Sequence, residues 1–303
     1  MRAWQFSKPK TPGFGISKGY YLSVLSSHAT LPPIRELINP AGTGGAATGF
    51  GVPLAAGAEK ADLDRPMGRG AYTIASKDQK TVLRLTVVSK EEARFDPEAV
   101  ARSFIAAELG QEALARIRAT WTLCEFTFES HHPMVYPALD FLLALAARLA
   151  ILTEGMVADA VGQRYLLPDQ VFSRRRMSVD LPVFAEEHIS PKFRWRSDGI
   201  QAYTLGMQKF GFPELEIVNL MDGDESSAAL ALLWLAQAML QGAKVREGYE
   251  VGDPKMPFEV RDGGFDKALW EGISVYELLP PTTVTATEAI QAWAQEIVGL
   301  KAQ

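Results

Sequence analysis

The sequence predicts an α+β fold, a mostly antiparallel sheet with helices packed on it, and leaves ferredoxin-like β-α-β units open as one arrangement. Three observations carry this. Residues 81–161 read as strand, helix, strand, helix, strand. A hairpin is expected over Asp198-Gly199, between "KFRWRSDG" and "IQAYTLGMQKF". Two apolar runs, "PALDFLLALAARLAIL" and "SSAALALLWLAQAMLQGA", are each shorter than the roughly 20 residues that cross a bilayer. They carry Asp140 and Arg148, and Gln237 and Gln241, so they read as buried helices of a soluble core.

The elements follow in order. "YYLSVL" (20–25) combines aromatic and β-branched residues and reads as a strand. Pro33 and Pro40 bracket one short helix. Residues 40–70 are rich in Gly and Ala and poor in large apolar residues, so a long, poorly packed loop is expected. "TVLRLTVVS" (81–89) reads as a strand. Asp96 suits an N-cap and Pro97 the first helical position, with Gly110 a bend or break in the helix that follows. "WTLCEFTFES" (121–130) alternates like a strand, with Cys124, Phe126 and Phe128 on one face. A helix follows from about Tyr136 to Leu152, then a short strand, "MVADAV" (156–161). After a polar linker come the hairpin and the strand "ELEIVNL" (214–220). A helix over 227–242 is capped by Asp224 or Ser226 and closed by Gly242. The strands "PFEVRDG" and "GISVYELLP" precede a terminal amphipathic helix capped by Thr285 or Thr287. These elements suggest an irregular Gly/Pro-rich extension over 1–70 and an α+β body over 71–303. Two loosely similar halves, about 71–170 and 190–303, are an open possibility within that body.

The chain has 303 residues, enough to bury a large core without staples. Its net charge of −5 argues against nucleic acid and against an anionic membrane, both of which want a basic face. The single cysteine, Cys124, excludes an intramolecular disulfide and a cysteine cluster for zinc, and fits a cytoplasmic setting. The N-terminal "MRAWQFSKPKTPGFG" lacks the apolar segment of a signal peptide.

Candidate chemistry is sparse. "NPAGTGGAATGFGVP" (39–53) contains the loose form G-x-G-x-x-[GA] at Gly42 to Ala47. A dinucleotide cradle needs a strand before it and a helix after it. Asn39-Pro40 breaks the strand, and Gly49, Gly51 and Pro53 prevent the helix. Phe50 stands where a P-loop needs lysine. The stretch therefore reads as a mobile lid or partner-binding loop, and no cofactor is expected. Whether 40–58 is ordered is left open. The four histidines, His28, His131, His132 and His188, show no H-E-x-x-H spacing. Cys124 reads as core rather than as the nucleophile of a pair with His131. No G-x-S-x-G elbow is present. "DGDE" (222–225) reads as a helix N-terminus, where acids favour the dipole, and no metal is expected there.

Two groups remain. Arg174, Arg175 and Arg176 form the one basic cluster, a candidate partner contact. Asp159, Arg164 and Tyr165, just past a strand end, are candidate ligand-binding residues that read equally as capping the strand and tying down the linker, and Thr204 and Glu214, in "YTLGMQKFGFPELEI" (203–217), are candidates beside them. Thr204-Leu205-Gly206-Met207, Phe210-Gly211 and Pro213-Glu214-Leu215-Glu216, with a long apolar helix and then "REGYEVGD" (246–253), resemble a family of bacterial domains of unknown function. The resemblance covers roughly residues 120–280 and implies no catalytic residues. The expectation is a bacterial protein acting through protein–protein contact, with an unknown partner or with itself. The alternative is an enzyme or small-ligand binder with its pocket near Asp159, Arg164, Tyr165 and the Thr204–Glu214 turn.

Overall fold

The computed structural model describes residues 21–39, 52–54, 64–75, 81–130, 135–171 and 183–301. They divide into two compact units, 21–171 and 183–301. Each is α+β with a mostly antiparallel sheet, as the sequence predicts.

Among its described residues the first unit has seven strands: β1 (Tyr21–Ser26), β2 (Val52–Leu54), β3 (Gly70–Ala75), β4 (Thr81–Ser89), β5 (Thr122–Ser130), β6 (Met156–Asp159) and β7 (Arg164–Leu166). Their order is β2-β3-β4-β5-β1-β6-β7, and every pair is antiparallel. Among the described residues, five α-helices and one 3₁₀ turn interrupt or flank the strands. These are α1 (Ile34–Leu37), α2 (Pro97–Ala101), a 3₁₀ turn (Phe104–Glu108), α3 (Gln111–Arg118), α4 (Val135–Leu152) and α5 (Pro168–Val171). Asp96 caps α2 as expected, its Oδ1 accepting from the Glu98 amide at 2.9 Å. The long helix expected after Pro97 ends already at Ala101; the 3₁₀ turn follows, and Gly110 stands as the N-cap of α3.

Helix α4 buries Leu142, Leu143, Leu145, Leu149 and four alanines, the broad apolar face of a core helix, while Ile151 stays exposed. It joins β5 to β6, and both of these run antiparallel to β1 between them. They are therefore parallel to each other with one strand in the gap, the split β-α-β arrangement of ferredoxin-like folds.

The boundary expected at residue 70 does not hold. Strand β1 lies in the middle of the sheet, where Leu22, Val24 and Leu25 are buried. Leu31 and Met67, both buried, form a two-way backbone bridge at 3.0 and 2.9 Å. Poverty in large apolar residues between 40 and 70 hid the fact that residues on either side of that stretch complete a core. Residues 40–51 and 55–58, and the basic cluster Arg174–Arg176, lie outside the described residues, as do His131 and His132.

The second unit contains α6 (Ala185–His188), β8 (Ser190–Arg196), β9 (Gly199–Leu205), a 3₁₀ turn (Met207–Phe210) and β10 (Glu214–Leu220). They are followed by α7 (Glu225–Leu240), β11 (Glu250–Val251), β12 (Phe258–Asp262), β13 (Val275–Leu279) and α8 (Ala286–Lys301). The strand order is β11-β12-β13-β10-β9-β8. Strands β10 and β13 make the one parallel pair among the described residues. The likeness of the two halves therefore stops at the pattern strand, apolar helix, strand. Their sheets differ in order and in pairing direction.

Helices α7 and α8 cover the sheet face that carries Ile217, Phe258, Val260 and Leu278, with Trp293 packed against Phe258. Thr285 and Glu288 close a capping box on α8, the Glu288 amide donating to Thr285 Oγ1 at 3.2 Å and the Thr285 amide to Glu288 Oε2 at 2.8 Å. Gly242 ends α7 with φ +98° in a Schellman pair of bonds. Asp224 sits at the expected cap position but does not bond the first turn of α7. Its carboxylate instead accepts from the Met221 amide, Thr287 Oγ1 and Gln291 Nε2, tying α8 to the start of α7. Among the described residues, no helix is long and apolar enough to cross a membrane.

Candidate functional sites

The five predicted ligand residues fall in different units, three in the first and two in the second. In the first unit, Asp159 ends β6, and the turn to β7 folds back onto it. Its Oδ1 accepts from the Gly162 amide at 2.9 Å, and its Oδ2 accepts from Arg164 Nε at 3.3 Å and Nη2 at 2.9 Å. The carboxylate is buried. Gly162 leaves it room, since a Cβ there would stand 2.6 Å from Asp159 Oδ2. Arg164 is thus held at a fixed angle.

Arg164 also lines a cleft of about 560 Å³ between the 105–113 segment and the 163–170 segment. That volume is in the range of small-molecule pockets. Tyr165, Leu109 and Leu167 form its apolar floor over a core cluster that includes Leu25, Ile117 and Met156. Burial pushes the Tyr165 hydroxyl above its usual range. Gln163, on the rim, takes a left-handed backbone conformation, φ +50°.

In the second unit, Thr204 and Glu214 are fully buried and bonded to each other, Thr204 Oγ1 donating to Glu214 Oε2 at 2.7 Å. Glu214 Oε1 accepts from the Gly206 amide at 2.8 Å and the Gln208 amide at 3.3 Å. The Leu215 amide donates to Thr204 Oγ1 at 2.8 Å. Gly206 has φ +122°, and a Cβ would meet the His188 carbonyl at 2.6 Å. The Thr-x-Gly-Met and Pro-Glu-Leu-Glu residues therefore build a tight turn, clipped by one carboxylate. Burial pushes the Glu214 carboxyl up, against the opposing pull of Thr204 and the three amides of the turn. This pair is a folding device.

A residue that the sequence reading passed over is Glu216, two positions on and on the same face. It too is fully buried. Its Oε1 accepts from Trp270 Nε1 at 2.8 Å and from Gln201 Nε2, and its Oε2 from the Phe265 amide at 2.7 Å. These bonds fasten the segment 263–273 across the sheet face opposite α7 and α8. Trp270 packs edge-on to Tyr203 at 5.5 Å, and Gly264 makes room for it. The E-L-E-I alternation was the available signal, but alternation alone does not tell a solvated face from one covered by a loop.

Strand β8 is the sheet edge, and among the described residues nothing pairs with its outer side. Trp195 near its end is 64% exposed. Next to it, Arg196 stacks on the exposed Phe265 ring, 4.3 Å from guanidinium carbon to centroid. Successive residues of a strand point to opposite faces, so Trp195 and the Arg196–Phe265 stack flank the open backbone edge from both sides. Arg194 pairs with Asp266 at 2.9 Å and Arg196 with Asp198 at 3.0 Å.

Cys124 is fully buried, and burial, helped by Glu125, pushes its thiol far above the thiolate range. It is core, not a nucleophile. Comparison with known proteins finds no matching family model, no matching curated protein and no matching solved structure.

Proposed function

We propose that the chain works through protein contact, and that its second unit takes an extended segment of a partner along the β8 edge. The observation that supports this is the pairing of an open edge with large aromatic groups on both sides of it. Tryptophan and arginine dominate binding hot spots, and strand addition supplies backbone bonds that side chains then make specific. The basic residues of β8 are already engaged, Arg194 with Asp266 and Arg196 with Asp198, so the recognition this edge offers is backbone pairing plus apolar contact with Trp195 and Phe265. The favoured occupant is an extended segment of another chain with apolar residues at alternating positions. In keeping with its composition we place the protein in the bacterial cytoplasm. A random-peptide display library tests the reading: extended peptides with apolar residues at alternating positions are enriched by the wild type and lost with Trp195→Ala/Phe265→Ala. Equal recovery on both would refute it.

A second reading has its own support. The cleft beside Arg164 and Tyr165 has the size of a ligand pocket, and a buried carboxylate orients its arginine, as outer partners orient working groups elsewhere. Small-ligand binding by the first unit is tested by chemical-shift perturbation of cleft residues on titration with a metabolite library. No perturbation there from any compound would refute it.

A further inference from the structure

We infer that the cleft between the 105–113 and 163–170 segments takes a neutral, polyhydroxylated ligand of mono- or disaccharide size, an inference that rests on the small-ligand reading. An arginine in a cleft first suggests a phosphate or carboxylate. The lining argues otherwise. Glu108 and Glu112 line the same space as Arg164, so the cleft carries charge of both signs. Arg164 already spends one edge on the buried Asp159, and Glu112 pairs with Arg116 at 2.9 Å. The charged groups of the lining are thus already engaged, Glu108 among them, so an anion and a cation alike would gain little there.

What the lining does offer is amide. Gln111 and Gln163 make no side-chain hydrogen bond among the described residues. Gln170 Oε1 accepts from the Leu167 amide at 2.9 Å, which leaves its –NH2 to donate. A primary amide presents a donor and an acceptor side by side, and a hydroxyl both donates and accepts, so amides and vicinal hydroxyls are mutually satisfying. Tyr165 with Leu109 and Leu167 provides the apolar floor that the C–H face of a sugar ring needs. Polar planar groups around the rim and an aromatic floor are complementary to a sugar and poorly complementary to an ion.

Saturation-transfer and chemical-shift NMR of the full chain test this with glucose, maltose and cellobiose against glucose 6-phosphate and glucuronate. The expected result is perturbation of cleft residues by a neutral sugar, several-fold weaker binding with Gln111→Ala, and weaker binding again with Gln163→Gly. Glycine suits the left-handed conformation at 163, so that variant removes the amide and keeps the fold. Preferential binding of the charged sugars at the cleft would overturn the ligand class and leave the cleft a ligand site. Perturbation by neither set, nor by any compound of the metabolite library, would overturn both.

Discussion

Thr204→Val separates a structural role for the Thr204–Glu214 pair from a binding role. Valine keeps the shape of threonine and removes the hydroxyl. In the folded chain that hydroxyl donates to a buried carboxylate at 2.7 Å and accepts from the Leu215 amide at 2.8 Å. Losing a hydrogen bond to a charged group costs about 1.5–3 kcal/mol, and stranding a buried amide about 1–3 kcal/mol more. The variant should therefore lose roughly 3–5 kcal/mol, a large share of the 5–15 kcal/mol that holds a typical protein folded.

The loss should also depend on pH. Burial raises the Glu214 carboxyl in the folded state, so folding favours its protonated form. Its contribution to stability is fully present below the ordinary carboxylate value of 4.5 and is lost as pH rises through the folded value. Thr204 is one of the donors that favour the ionised form, so removing it deepens the penalty at high pH and matters less in acid. Urea unfolding at two pH values, read by tryptophan fluorescence, measures both effects, since Trp195, Trp234, Trp270 and Trp293 all lie in this unit. A variant within about 0.5 kcal/mol of wild type, or a loss that shrinks as pH rises, would refute the reasoning.

Other outcomes follow from the same geometry. Gly264→Ala places a Cβ 2.1 Å from Trp270 Cδ1 and 2.8 Å from Val275 Cγ1, and should cost about 1–3 kcal/mol in denaturant unfolding as an overpacked site. Unchanged stability would show that the 263–273 segment is not fixed as described. Asp224→Ala removes the acceptor shared by Met221, Thr287 and Gln291, and should lower the melting temperature more than Glu225→Ala beside it, which has no such bonds. Cys124 should resist iodoacetamide in the native protein and react once urea unfolds it, as read by intact mass. Equal labelling rates would contradict its burial.

Much of the fold was legible in the sequence because the signals were local. Strands β4, β5 and β10 were read to within a residue, β5 from its alternation, and Asp96, Gly110 and Gly242 stand at helix ends. The domain boundary was not legible, because the place of β1 between β5 and β6 depends on partners some 100 residues away. The candidate sites were half legible. Asp159, Arg164, Thr204 and Glu214 stood out as polar residues near turns, and each does occupy a constrained position. Their bonding partners showed that Thr204 and Glu214 serve the turn, while Arg164 faces a cleft. Glu216 was missed because the loop covering it comes from 49 residues further along the chain. Trp195 was missed because a strand's place at a sheet edge is a property of topology.

Oxidative footprinting of Trp195 and Phe265 in living cells, compared with the purified protein, tests the contact surface most directly. Trp121, exposed in the other unit, serves as the internal standard. Occupation of the β8 edge predicts that Trp195 and Phe265 lose reactivity in the cell while Trp121 keeps it. Equal reactivity of Trp195 in both settings, measured against that standard, would contradict the proposed function.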